Sequence, residues 1–274
     1  MTIGWVDSTF TSIGTGTTET RINRDADLEL PSDTNGIVEI IPYLMELGAF
    51  TVDQALLVAM RAVSPDFSIE PKRWVLPSVN TGDAAFASVQ APALMATPMN
   101  IKCGGNQRLR LLGEALVANT VAPGVGATVV VTDGGVGREW FYDRPDAETA
   151  GGTTIDTRTA GGSITITSGK LLKCVCANVS NGVATASEHD VGFMEFESSG
   201  FDKAFPVQVA VAPSAAGLGA AAGQPSNPAG MSKWVYPDGH EMPIKERTII
   251  NTFYTNRDAR TGASNFIGSV GFYK

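Results

Sequence analysis

The stretch that decides the fold is Arg108–Asp133, RLRLLGEALVANTVAPGVGATVVVTD. Its first part alternates: Leu109, Leu111, Ala115 and Val117 fall on one side of an extended chain, with Arg108, Arg110 and Glu114 on the other. A period of two predicts a strand with one face in a core and the other toward water. A Gly/Pro loop around Pro123 then leads into Ala127–Asp133 (ATVVVTD), a β-branched run closed by Asp133-Gly134-Gly135. Strand, breaker, strand is the grammar of an all-β chain.

The same grammar extends in both directions. Toward the C-terminus, Glu139–Tyr142, Lys170–Ala177, Val191–Ser198, Pro206–Ala212, Thr248–Asn256 and Asn265–Tyr273 read as strands. In the last of these Phe266, Val270 and Phe272 share a face, which predicts a strand buried in its sheet. Thr153–Thr167 (TTIDTRTAGGSITIT) sets Gly161-Gly162 between two β-rich segments, the pattern of a hairpin with a primed turn. Residues 213–230, PSAAGLGAAAGQPSNPAG, read as a long irregular loop because Gly217, Gly219 and Gly223 interrupt the alanines. Toward the N-terminus, Gly36–Ile41 (GIVEII) is a strand, and Phe67–Leu76 an edge strand broken by Pro71. One short helix is expected near residues 51–64. Thr51 and Gln54 form a capping box, and Val52, Ala55, Leu56, Ala59, Met60 and Val63 recur at helical spacing until Pro65. Residues 1–35 lack periodicity and read as an extended N-terminal arm, ahead of a β-sandwich region over 36–274.

Composition narrows the function classes. The net charge is −8, from 20 basic and 28 acidic residues, and no basic cluster exceeds Lys72-Arg73 or Arg108/Arg110, so direct nucleic-acid binding is not expected. The N-terminus has neither a basic nor an apolar segment of signal-peptide type, and no apolar run is long enough to span a bilayer. Charged residues are 18% of the chain against about 25% in an ordinary domain. Few charges are thus left to solvate a large free surface, which suggests a surface facing other protein.

Candidate chemistry is sparse. Cys174 and Cys176 fall on one strand face and, with Cys103, read as buried thiols. With only His189 and His240 present, no zinc spacing exists. Each histidine precedes a carboxylate, Asp190 or Glu241, but neighbours on an extended strand point apart. Gly124-Val125-Gly126 and Gly134–Gly137 do not open a helix, so they read as turns rather than phosphate cradles. Asp25, Asp27 and Glu29 alternate as a solvated face that could also offer oxygens to Ca²⁺. Glu195 and Glu197 share a strand face and read as solvated or interface residues. No catalytic, cofactor-binding or metal-binding residue is assigned, and the chain is expected not to be an enzyme.

Met99–Asp133, FPVQVAVAPSAAGLG and the closing NFIGSVGFYK together resemble jelly-roll viral capsid proteins, in particular the small double jelly-roll major capsid proteins. The resemblance implies jelly-roll sandwiches, two of them divided somewhere near 145–165. It also implies a self-assembling major capsid subunit of an icosahedral virion, made in the host cytoplasm. Its partners would be itself, as a trimer and higher assembly, other capsid proteins and an underlying membrane. Trp5, Phe10 and Ile13 are the candidate assembly contacts. The alternatives are a phage tail, decoration or receptor-binding β-module and, second, a β-sandwich enzyme.

Overall fold

Alternation between residues 108 and 115 is realised as a strand in which Leu109, Leu111, Gly113 and Ala115 are buried while Arg108 and Arg110 are exposed. The computed structural model describes residues 2–12, 16–23, 27–32, 35–46, 54–55, 58–64, 72–75, 80–81, 99–116, 123–133, 140–167, 171–181, 189–200, 207–215, 231–236, 239–245, 247–257 and 264–273. Its N-terminal half contains β1 (Thr2–Ser12), β2 (Thr20–Arg21), β3 (Leu28–Glu29), β4 (Asn35–Glu46), β5 (Gln54–Ala55), β6 (Val58–Val63), β7 (Lys72–Val75), β8 (Asn80–Thr81), β9 (Met99–Gly104), β10 (Arg108–Ala115) and β11 (Pro123–Asp133). The C-terminal half contains β12 (Trp140–Asp143), β13 (Thr149–Ala150), β14 (Arg158–Ile166), β15 (Leu171–Asn181), β16 (His189–Glu197), β17 (Val207–Ala215), β18 (Met231–Val235), β19 (Met242–Pro243), β20 (Thr248–Asn256) and β21 (Ser264–Tyr273). Among the described residues there is no helix.

A first sheet has the order β1-β11-β4-β9, and a second β2-β10-β6-β7 with β3 also on β10; β5 and β8 form a small ribbon. The third sheet is β12-β21-β15-β18, extended by β13 on β21 and β19 on β15, and the fourth is β14-β20-β16-β17. Among the described residues no ladder joins a strand of 2–133 to one of 140–273. Treating β2/β3, β12/β13 and β18/β19 as interrupted single strands, and setting the ribbon aside, the two halves have the same winding. In each, one sheet reads first, eighth, third, sixth, and the other second, seventh, fourth, fifth. That is the jelly roll, and this chain contains it twice.

Two local expectations are corrected. The helix near 51–64 is absent: Gln54–Ala55 and Val58–Val63 are strands, and the latter pairs with both β10 and β7. Ala59, Met60 and Ala62 are all buried, so β6 has apolar residues on both faces where it could be read as a helical stripe. The hairpin at Gly161-Gly162 is likewise absent, because β14 runs through both glycines with a register shift between Ala160 and Ser163. A Cβ at Gly161 would lie 2.6 Å from the Phe266 ring and from Thr252 Oγ1, and one at Gly162 2.5 Å from Pro145. The glycines permit close approach across a bulge, not a chain reversal.

The core of the second jelly roll is Phe196, Tyr254, Phe266, Val270, Ile250 and their neighbours, drawn from the third and fourth sheets. Tyr254 and Phe266 meet with ring centroids 5.3 Å apart. In the first jelly roll Val125, Ala127, Val129 and Val131 of β11 face inward with Ile40 of β4. The gap between β2 and β3 is closed by buried Asn23, which accepts from Leu111 N at 2.6 Å and donates to Leu109 O at 3.4 Å. The amide side chain thus satisfies backbone groups of β10 that would otherwise be buried without partners.

Candidate functional site

Beyond its two cores, this fold presents the outer faces of its four sheets. On the third sheet the inward residues are Phe266, Val270 and Phe272 of β21, with Leu172, Val175 and Ala177 of β15. The alternate residues, Tyr142, Cys174, Cys176, Ile267 and Ser269, point away from that core, yet none is more than 2% exposed. They are covered by the other jelly roll. β12 lies against β7 and β9, β21 against β7, and β15 against β5, while Ile267 packs with Ala59 and Leu116. Packing there is tight enough that a Cβ on Gly271 would lie 2.5 Å from Cys174 Sγ. Cys174 and Cys176 are buried thiols, as expected.

Two buried cations accompany this sheet, and one of them reaches across the junction. Arg144 is buried, donates to Pro145 O at 2.8 Å and Asp146 O at 3.2 Å, and makes an ion pair with Glu114 of the first half. Lys173, at the register shift between Leu172 and Cys174, is also buried; its Nζ lies 3.7 Å from Glu241 Oε1 and 5.9 Å from the Tyr273 ring centroid. Both cations therefore have a carboxylate beside them, without which burial would be costly.

The fourth sheet keeps its outer face toward solvent. Across it Arg158 Nε donates to Glu195 Oε2 at 2.5 Å and Nη2 to Glu197 Oε1 at 2.6 Å, and the guanidinium lies 3.6 Å over the Phe253 ring. Gln208 Nε2 donates to the other Glu195 oxygen at 2.9 Å. Burial pushes the Glu195 carboxyl up, but the hydrogen bonds from Arg158 and Gln208 and the Arg158 charge outweigh it and hold the pKa below its ordinary value. Ile249, 53% exposed, stands on the same face.

The second sheet carries a comparable network. Asp27 accepts from Arg110 Nε at 2.9 Å and Nη2 at 3.0 Å, and from Arg21 at 2.8 Å. The Arg110 hydrogen bonds, then the charges of Arg110, Arg21 and Arg108, depress the Asp27 pKa against the effect of burial. Asp27 is thus held by arginines; Glu29 is exposed on β3, and Asp25 lies outside the described residues. Among the described residues no group of three His, Cys, Asp or Glu could hold a metal ion, and no helix is long and apolar enough to cross a membrane.

The first sheet holds the assembly candidates. Trp5 and Phe10 are on β1, which pairs along its length with β11, Trp5 opposite Val131 and Phe10 opposite Gly126. The structure therefore puts both on one strand at one edge of one sheet; Ile13 lies outside the described residues. Of the loop read over 213–230, 213–215 belong to β17 and 216–230 are outside the described residues. His189 opens β16, and exposed His240 precedes Glu241, which is committed to Lys173. The Arg158 and Asp27 networks escaped sequence reading because their partners are 37 and 83 residues apart.

No protein-family model matches the chain, and no curated protein matches it. Solved structures do. PNGase F, a glycosylasparaginase from Flavobacterium meningosepticum, is 10% identical with a TM-score of 0.46, over 98% of this chain and 96% of that one. PNGF-II is 7% identical with a TM-score of 0.48, over 98% of this chain and 64% of that one. The STIV MCP, a viral major capsid protein, is 10% identical with a TM-score of 0.41, over 98% and 97%. At such identities and scores a likeness assigns no activity, and the jelly-roll assignment rests on strand order. The expectation that the chain is not an enzyme is corrected by the same finding. A glycosylasparaginase is similar to it from end to end, so this architecture gives no ground for excluding one.

Proposed function

We propose that this chain is a structural, self-assembling virion protein: a major capsid subunit that associates with itself as a trimer and builds an icosahedral shell. It would lie beside other capsid proteins and over a membrane rather than directly on nucleic acid. The observation that carries this reading is the junction inside the chain. A jelly roll here uses the outer face of its third sheet as a docking surface, with residues at most 2% exposed, so the architecture already packs sandwich against sandwich side by side. Repetition of such contacts between chains is what a shell requires. The acidic balance of −8 supports the separation from nucleic acid.

Light scattering after size exclusion, with negative-stain microscopy, tests it on the purified chain. Assemblies several times the 28.7 kDa chain mass, trimers or closed particles, are expected. A strict monomer at every concentration would overturn the proposal.

A further inference from the structure

We infer that the junction between the two jelly rolls opens as a unit while both sandwiches stay folded, and that the Glu114–Arg144 ion pair is the latch that holds it shut.

The two halves are joined differently from the sheets within each of them. Among the described residues no backbone ladder crosses between them, so side chains carry the contact. On the third sheet those side chains are mostly small: Cys174 stands in register with Gly271, and Cys176 with Ser269. The apolar cluster that spans the junction is Ala59, Leu116 and Ile267, whereas the second core contains Phe196, Tyr254, Phe266, Phe272 and Ile250. Stabilisation by burial scales with apolar area, so the junction is the plane along which this molecule parts first.

The latch is anchored on both sides. In the second jelly roll Arg144 folds over its own turn, donating from Nη1 to Pro145 O and Asp146 O, while its backbone N donates to Asp143 Oδ1 at 2.9 Å. Pro145 is seated on Gly162 of β14, where a Cβ would lie 2.5 Å away, and this ties the turn to the second sandwich. Nη2 then reaches across to Glu114 Oε1. In the first jelly roll Glu114 stands in register with Ala59, the residue that packs on Ile267. Ion pair and apolar contact thus share one row, and separating one separates the other.

Electrostatics make this pair a control point. The Arg144 side chain is 4% exposed and that of Glu114 22%. Without the carboxylate charge, a closed junction holds a buried cation against a neutral group, and an open one lets water reach it. The penalty therefore falls on the closed state. The cores are spared, because Glu114 lies on the β10 face opposite the inward Leu111 and Ala115, and Arg144 is outside the second core.

Cys174 and Cys176 report the opening. Both point away from the second core, toward the first jelly roll, and are at most 1% exposed. A thiol reagent reaches them when the halves part.

Thiol labelling of the full chain in native buffer tests this, with peptide mass spectrometry separating Cys174 and Cys176 from Cys103. Glu114→Gln is expected to label these two thiols about tenfold faster than the wild type or more, with an unchanged circular dichroism spectrum. Arg144→Met replaces it if that variant does not fold. Arg158→Ala, which breaks an ion pair on the fourth sheet, is expected to label at the wild-type rate. Labelling should also rise with urea along a shallower slope than global unfolding, since opening exposes one interface rather than two cores. Three results would each overturn the inference: no acceleration in Glu114→Gln, equal acceleration in Arg158→Ala, or a urea slope equal to that of global unfolding.

Discussion

The third and fourth sheets share one sandwich and one core but meet different surroundings on their outer faces. On the fourth sheet, β20 alternates through most of its length: Thr248, Ile250 and Thr252 are buried, and Ile249 and Asn251 exposed. On the third, β21 is buried at every residue from Phe266 to Tyr273, whichever way the side chain points. Both sheets have the same antiparallel pairing, so backbone hydrogen bonding does not cause the difference. The cause is a second layer of protein supplied by the other jelly roll, which converts a surface into a second interior. A charge placed on each face should therefore have consequences of very different size.

The largest effect is expected at Ile267, 2% exposed and packed on Ala59 and Leu116. Ile267→Lys would bury an ammonium with no carboxylate built for it, unlike Lys173 beside Glu241. The cost should be about 3–5 kcal/mol, the scale for an uncompensated buried charge. Urea unfolding of variant and wild type measures it. A loss below about 0.5 kcal/mol, the level of ordinary surface substitutions, would mean that the first jelly roll does not seal this face.

The same contrast explains what sequence reading could reach. β10, β20 and the inward face of β21 follow from alternation because each has a solvent face or a strongly apolar inner one. β6 does not: Met60 and Ala62 face the core, and Ala59 is buried against the other half, so VAMRAV loses its period of two and falls into a helical one. The glycines of β14 mislead for a related reason, since Phe266 and Pro145, which exclude a Cβ there, approach from elsewhere in the chain. That Cys174 and Cys176 share a face is legible from spacing. That the face is covered is not, because Ala59 and Leu116, which pack on Ile267 there, belong to the other jelly roll.

A middle-sized effect is expected on the open face at Arg158. Its side chain is 42% exposed, so solvent screens its ion pairs, but Glu195, at 11%, is not well solvated. Arg158→Ala should cost about 1–2 kcal/mol at neutral pH, above a surface pair because a part-buried carboxylate loses its cation. Glu195 and Asp27 both have folded pKa values below their ordinary 4.5 and 3.8. Their contribution is thus fully present above those values and is lost as pH falls through the depressed ones. In the variant Glu195 keeps only Gln208 against burial, so the stability gap from wild type should narrow on acidification below about pH 4.5, the ordinary glutamate range. A gap that stayed constant between neutral pH and pH 3 would show that the pair carries no such linkage.

The smallest effect is expected at Ile249, on the same face and 53% exposed. Ile249→Lys removes little buried area and adds a solvated charge, so stability should change by no more than about 0.5 kcal/mol. Its worth lies in what it separates. Ile249 and Phe253 are in one β20 face, and an apolar residue so exposed could itself be read as a docking point for another copy. If copies instead meet through other surfaces, Ile249→Lys assembles like the wild type. Loss of assembly by Ile249→Lys, with its melting temperature unchanged, would place a contact between copies on the fourth sheet.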